Sequence, residues 1–156
     1  MLHGLPRVEQ AKLYLAAASS NGGDQPNAQR RSALVGKASL RVLIVEDEFF
    51  ISLHTKQLLQ ALGHAVVGVA VSANQALQLA EREKPDVILM DIRLNGDRDG
   101  IEAAEEIYAR LGIQSIFVSA NSDPRTRQRV AALHSLGFLN KPLTAERLQG
   151  GLSAVR

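Results

Sequence analysis

The chain of 156 residues contains no cysteine and no tryptophan. Without thiols there is no disulfide, no thiolate nucleophile and no cysteine-ligated metal, so any metal must rest on oxygen or histidine. No apolar run approaches the roughly 18 residues of a membrane span, and the N-terminus lacks the compact apolar stretch and cleavage site of a secretory signal. The expected location is therefore cytoplasmic, with no membrane insertion. Charge of one sign is also scarce, the net being +2. The excess lies in residues 1–39, with five Lys or Arg against two Asp or Glu, whereas residues 40–156 hold thirteen against fourteen. A basic leader before a nearly neutral remainder does not imply a nucleic-acid-binding fold, and no direct nucleic-acid contact is expected.

What is present suffices for one domain with a real core, and leaves no room for a second large catalytic domain. Residues 1–39 divide into a weakly helical piece around residues 6–18 and a polar stretch rich in Gly, Ser and Asn. Few large apolar side chains are there to offset chain entropy, so this N-terminal extension reads as a flexible leader or linker rather than a partner-binding helix.

From Leu40 short apolar runs alternate with longer amphipathic ones, the signature of strand and helix units in a parallel sheet. Five strands are predicted, at residues 40–45, 65–71, 87–90, 115–118 and 137–139. Their continuous apolar character suits strands covered on both faces. Helix starts are marked by Ser72 with Gln75 and Asp99 with Glu102 at capping-box spacing, and by Asp123 before Pro124. The last helix is predicted to begin after Thr144, with Leu143 and Leu148 as a hydrophobic staple, and to run to the end of the chain. Five such units with right-handed crossovers give an open α/β doubly wound sheet with helices on both faces, in which ligands bind beyond the carboxyl ends of the strands.

At those ends stand Glu46, Asp47 and Glu48 after the first strand, Asp91 after the third, Ser119 and Ala120 after the fourth, and Lys141 and Pro142 after the fifth. Two unit charges about 4 Å apart at an effective dielectric near 20 repel by roughly 4 kcal/mol, so carboxylates from adjacent strands call for a cation. Magnesium takes one or two carboxylates, a carbonyl, waters and a phosphate oxygen, which matches Asp47 and Asp91 as direct ligands with Glu46 acting mainly through water. A phosphoryl group in transfer carries its charge on equatorial oxygens, and a metal, the Lys141 ammonium and a hydroxyl donor are the parts needed around a carboxylate nucleophile, here Asp91. Each residue alone has an ordinary explanation as a helix cap or loop residue, but four complementary groups on four successive strand ends do not.

These residues resemble the response-regulator receiver domains of two-component signalling, of the chemotaxis-regulator (CheY-like) type with a flavodoxin-like sheet of order 2-1-3-4-5. The likeness runs from Leu40 onward through LRVLIVEDE, PDVILMDIRLNGDRDGIEAA, IFVSANSD and GFLNKPLT. It implies that Glu46 and Asp47 are the acidic pair for Mg2+, that the backbone carbonyl of Arg93 completes the metal shell, and that Asp91 is phosphorylated from a sensor histidine kinase or histidine phosphotransferase. It implies further that Ser119 is the switch hydroxyl, that Lys141 contacts the phosphoryl group, and that Phe138 is the switch aromatic. Such a module is not an enzyme beyond catalysing its own phosphorylation and dephosphorylation. It reshapes a face made by the fourth helix, fifth strand and fifth helix, and the bond before Pro142 is expected to be cis.

One departure is the segment IRLNGDRDG after Asp91, which lacks the usual Met-Pro pattern; Arg93 and Asn121 border the phosphoryl position. Arg125, Arg127 and Arg129 cluster early in the fourth helix and form a candidate face for an acidic partner or a second protomer, against the alternative of a solvated helix face. His3, His54, His64 and His134 show no paired ligand spacing.

An aspartyl-nucleophile phosphatase would need a second acid two residues after Asp91, where Arg93 stands. A flavin-binding module would want a Ser/Thr/Gly-rich phosphate loop where Glu46–Glu48 stand. The remaining rival is an unphosphorylated constitutive interaction or dimerisation module on the same fold. With no output domain expected after the last helix, the signal is expected to leave by contact with a downstream protein effector or through a homodimer.

Overall fold

A computed structural model describes residues 38–120 and 123–156, and Ser39–Arg156 forms one compact unit. The expectations made for residues 1–37, His3 included, and for Asn121 lie outside the described residues. The chain alternates β1 (Arg41–Val45), α1 (Phe49–Ala61), β2 (Ala65–Ala70), α2 (Ala73–Glu83), β3 (Val87–Asp91), α3 (Gly100–Leu111), β4 (Ser115–Ser119), α4 (Pro124–Ala131), β5 (Gly137–Asn140) and α5 (Ala145–Leu152). All four strand pairings are parallel, in the order β2-β1-β3-β4-β5. The predicted architecture is therefore the observed one, with strand ends displaced by a residue.

Strand side chains alternate between faces, and each face has its own core. Leu43, Val45, Ile88, Met90 and Phe117 pack with Ala76, Ala80, Ile101, Ile107 and Val130, so α2, α3 and α4 cover one face. Val42, Ile44, Val87, Leu89, Ile116 and Val118 pack with Leu59, Leu148 and Leu152 of α1 and α5 on the other. Burying one such Leu or Ile contributes about 1.5–3 kcal/mol, and two-sided coverage explains the unbroken apolar runs in β1, β3 and β4.

The caps set where each helix begins. Asp99 accepts from the Glu102 N–H at 2.9 Å while the Asp99 N–H donates to Glu102 Oε2 at 3.0 Å, a reciprocal capping box. Ser72 accepts from the Gln75 N–H, but Gln75 Oε1 takes the N–H of Val71 rather than that of Ser72, so this box closes one residue early. Asp123 and Thr144 cap α4 and α5 as expected, and Leu143 and Leu148 are both buried in one cluster. The last helix stops at Leu152 instead of reaching the chain end. Gly150 and Gly151 weaken its final turn, and Ser153 closes it with backbone donation to Gln149 and Gly150 carbonyls.

Candidate functional site

Because β1, β3, β4 and β5 are adjacent and parallel, their carboxyl ends share one edge, and the residues there meet without help from long loops. Glu46 follows β1, Asp91 ends β3, Ser119 ends β4 and Lys141 follows β5. Glu46 and Asp91 are only 4% and 5% exposed. Lys141 Nζ donates to Glu46 Oε2 at 2.7 Å and to Asp91 Oδ2 at 3.1 Å, bridging the two carboxylates. Asp47 joins them, and Glu46, Asp47 and Asp91 each offer an oxygen within 4.8 Å of the others.

Backbone donors fix the carboxylates further. The Glu48 N–H donates to Glu46 Oε1 at 3.0 Å, the Arg93 N–H to Asp91 Oδ1 at 3.0 Å and the Asn95 N–H to Asp47 Oδ2 at 3.2 Å. The last of these ties the β1–α1 loop to the segment after Asp91. Arg93 lies in that segment and is exposed.

The charge balance of this pocket is acidic, with three carboxylates against one ammonium. Burial pushes the Glu46 carboxyl up to about 7, with Asp91 adding repulsion, against the lowering effect of Lys141 and the Glu48 N–H. For Lys141 burial acts downward, yet its hydrogen bonds to Glu46 and Asp91 hold its pKa above the ordinary lysine value. It remains an ammonium at neutral pH. The donor set, all hard oxygens with no histidine or thiolate, fits a hard divalent cation such as Mg2+.

Ser119 is buried, and its carbonyl accepts the Lys141 N–H at 2.9 Å, which seats the end of β5 against β4. The Lys141–Pro142 bond is cis, as expected. Phe138 is half-buried against the core beneath α2–α4, with the Arg127 guanidinium 6.0 Å over its ring. Arg125 is exposed, and Arg129 pairs with Asp99 at 3.0 Å. The described histidines stand apart from the acidic cluster: His54 Nε2 lies 3.2 Å from the Leu143 carbonyl, His64 Nδ1 accepts the Leu40 N–H, and His134 stacks on Tyr108.

One positioning residue escaped the sequence reading. A Cβ at Gly100, the first residue of α3, would lie 1.9 Å from the Asp91 carbonyl oxygen, so only glycine lets the helix start rest on the acceptor strand. The available signal was a glycine at the first helical position directly after the Asp99 cap. Beside the pocket, Phe49 and Phe50 at the start of α1 are 69% and 81% exposed and meet edge-to-face.

Fold and pocket together define a doubly wound α/β domain with an acidic, lysine-bridged ligand edge. Residues 42–152 match the model of the response regulator receiver domain, and the chain belongs to that family, whose members are response regulators of two-component signalling. It is 34% identical over 108 residues to the transcriptional regulatory protein PdtaR of Mycobacterium tuberculosis, covering 69% of this chain and 52% of that one. Among solved structures, the signal receiver domain of a modulated diguanylate cyclase from Desulfovibrio desulfuricans shares 32% identity at a TM-score of 0.71, over 76% of this chain and 94% of that one. The response regulator PhyR from Brucella abortus shares 29% identity at a TM-score of 0.69, over 83% and 52%. The chain thus spans about half the length of the full regulators it matches. Among the described residues no helix is long and apolar enough to cross a membrane.

Proposed function

We propose that this chain is a phosphoacceptor switch in which Asp91 takes a phosphoryl group from a phosphohistidine of a sensor kinase or phosphotransferase. The observation that carries the reading is the buried Asp91 carboxylate, flanked by two further carboxylates within 4.8 Å and bridged to Glu46 by Lys141. An Asp91 oxygen forms a bond to phosphorus as the donor's P–N bond breaks, and the leaving imidazole nitrogen keeps the electron pair. Asp47, Asp91 and the Arg93 carbonyl would hold Mg2+, with Glu46 mainly through water; the ion would supply positive charge for the phosphoryl oxygens. Lys141 supplies the second cation, its ammonium donating to a phosphoryl oxygen while keeping its hydrogen bond to Glu46.

Ser119, one strand over, serves as the switch hydroxyl, and Phe138 as the ring that reports its movement to the face formed by α4, β5 and α5. Arg125, Arg127 and Arg129 present that face to a downstream protein effector or to a second protomer. Phe49 and Phe50 give the rim an apolar docking point for the phosphodonor, with residues 1–39 as an extension to the domain and the cytoplasm as its location.

The test is incubation of the full chain with acetyl phosphate and Mg2+, reading acyl phosphate by intact mass. Labelling that is hydroxylamine-sensitive, Mg2+-dependent and lost in Asp91→Asn is expected. A native protein that takes no label from acetyl phosphate or from any candidate kinase overturns the proposal and leaves an unphosphorylated interaction module.

A further inference from the structure

Lys141 is carried on a turn, residues 140–143, that leads from β5 into α5, and this turn is held from outside the acidic pocket. Asn140 and Pro142 are exposed, so the packing of their side chains does not set where the turn lies. Hydrogen bonds do. The Lys141 N–H donates to the Ser119 carbonyl at 2.9 Å. Arg147 Nη1 donates to the carbonyls of Asn140 at 3.3 Å and Pro142 at 2.9 Å, one on each side of Lys141. His54 Nε2 of α1 lies 3.2 Å from the carbonyl of Leu143, the next residue along.

The place of Arg147 follows from the start of α5. Thr144 is the N-cap and accepts the Arg147 N–H at 3.2 Å, which puts Arg147 in the first turn of the helix. Helix side chains lean towards the N-terminus, so this guanidinium falls back onto the residues before the cap. Among the described residues Arg147 has no carboxylate partner, and its side-chain hydrogen bonds go to this turn alone. Lysine carries its ammonium on a flexible stem, yet Lys141 Nζ meets Glu46 Oε2 at 2.7 Å and Asp91 Oδ2 at 3.1 Å, carboxylates carried at the ends of two different strands. Holding both contacts requires a backbone fixed at the base of that stem.

We propose that Arg147 is a positioning residue for Lys141: by gripping the carbonyls on either side, it sets the lysine over the sheet edge and so fixes the ammonium between Glu46 and Asp91. Arg147 itself touches neither carboxylate. The His54 contact secures the far end of the turn, so loss of Arg147 frees the stretch that bears Lys141 rather than the whole connection. Misplacing a group by about 1 Å costs up to about a hundredfold in rate. With the Ser119 and His54 contacts still in place, the expected loss is smaller, about three- to tenfold.

The consequence for phosphoryl transfer rests on the reading of Asp91 as acceptor, whereas the consequence for the ammonium does not. The full chain and its Arg147→Met variant, labelled with 15N at lysine, are compared by NMR of the Lys141 ammonium, which is assigned by its absence from Lys141→Met. The parent should show a slowly exchanging signal displaced from those of exposed lysines. In Arg147→Met it should move towards them or vanish through exchange, while urea unfolding reports any loss of fold separately. Labelling of Asp91 by acetyl phosphate and Mg2+ should slow by about three- to tenfold in Arg147→Met, but by less than about twofold when Lys141→Met is already present. A general loss of stability or of surface charge would act equally in both backgrounds. An ammonium signal unmoved by Arg147→Met, a parent without such a signal, or equal slowing in both backgrounds overturns the proposal. A parent that takes no label counts against the Asp91 reading alone, and the ammonium signal then decides the role of Arg147, as it does if Lys141→Met takes none.

Discussion

Replacing Gly100 by alanine places the sharpest demand on this structure. The added Cβ would stand 1.9 Å from the Asp91 carbonyl oxygen, 2.9 Å from its carbon and 3.1 Å from Ile92 Cα, all backbone atoms with no rotamer to yield. Relief requires α3 and the end of β3 to part by about 1 Å or more. That movement strains or breaks the Gly100 N–H bond to the Ile92 carbonyl, 2.9 Å long and worth about 1 kcal/mol, and adds an overpacking cost of about 1–3 kcal/mol. Better helix propensity returns at most about 1 kcal/mol, so the net loss is about 1–3 kcal/mol. The displacement falls on Asp91 itself, lengthening its 3.1 Å contact with Lys141 and disturbing the carboxylate cluster. Urea unfolding, Mg2+ titration and acetyl phosphate labelling should all register the change. Gly150→Ala in α5, where a Cβ meets nothing within 4 Å, is the control and should stabilise by about 0.5–1 kcal/mol. A Gly100→Ala protein as stable as the parent, with unaltered Mg2+ affinity, refutes the close-approach argument.

Lys141→Met strands two buried carboxylates and should cost about 2–4 kcal/mol in urea melts at pH 8, the gap shrinking towards pH 5; a constant gap would show that charge is not its origin. Glu46 has its folded-state pKa raised from 4.5 to about 7, so its favourable contribution is complete below about pH 4.5 and lost as pH rises through 7. Without metal, the parent should therefore lose stability relative to Glu46→Gln across that window, by no more than about 3 kcal/mol and less where water screens the group; a flat difference contradicts the assignment. Glu106 and Asp123, held low by Arg98 with Arg110 and by Thr126 respectively, act in the opposite sense but at lower pH, and the paired comparison removes them. Ser115→Ala removes an unpaired hydroxyl and should raise stability by about 1 kcal/mol in a thermal melt; destabilisation would mean that the hydroxyl is satisfied.

The sheet was legible because its strands are buried on both faces and its helix starts carry local chemistry. Asp99 with Glu102, Asp123 with Pro124 and Thr144 act within one turn, where a sequence window sees all the partners. The meeting of Glu46, Asp91 and Lys141 followed from strand-end placement alone, since parallel neighbours in one sheet bring their ends together whatever the loops do. Less visible were features that depend on distances between remote backbones. The contact of Gly100 with Asp91 and the hold of the Asn95 N–H on Asp47 have no local signature, and the unpaired Ser115 hydroxyl looks like any strand serine. The end of the last helix was missed for another reason: the apolar pattern continues through Val155, but the glycine pair weakens the backbone before it.

The attachment of α4 differs from that of its neighbours. Val130 is its only deeply buried side chain, packed in the cluster that holds Ile101 and Ile107 of α3, and Arg129 adds a partly exposed bond to Asp99 Oδ2. Asp99 keeps its other oxygen, Oδ1, for the N–H of Glu102, so releasing Arg129 leaves the start of α3 intact. A latch of this kind is worth at most about 1 kcal/mol and opens without unravelling what it is hooked to. Breaking that bond therefore leaves the start of α3, which rests on the Asp91 carbonyl through Gly100, undisturbed.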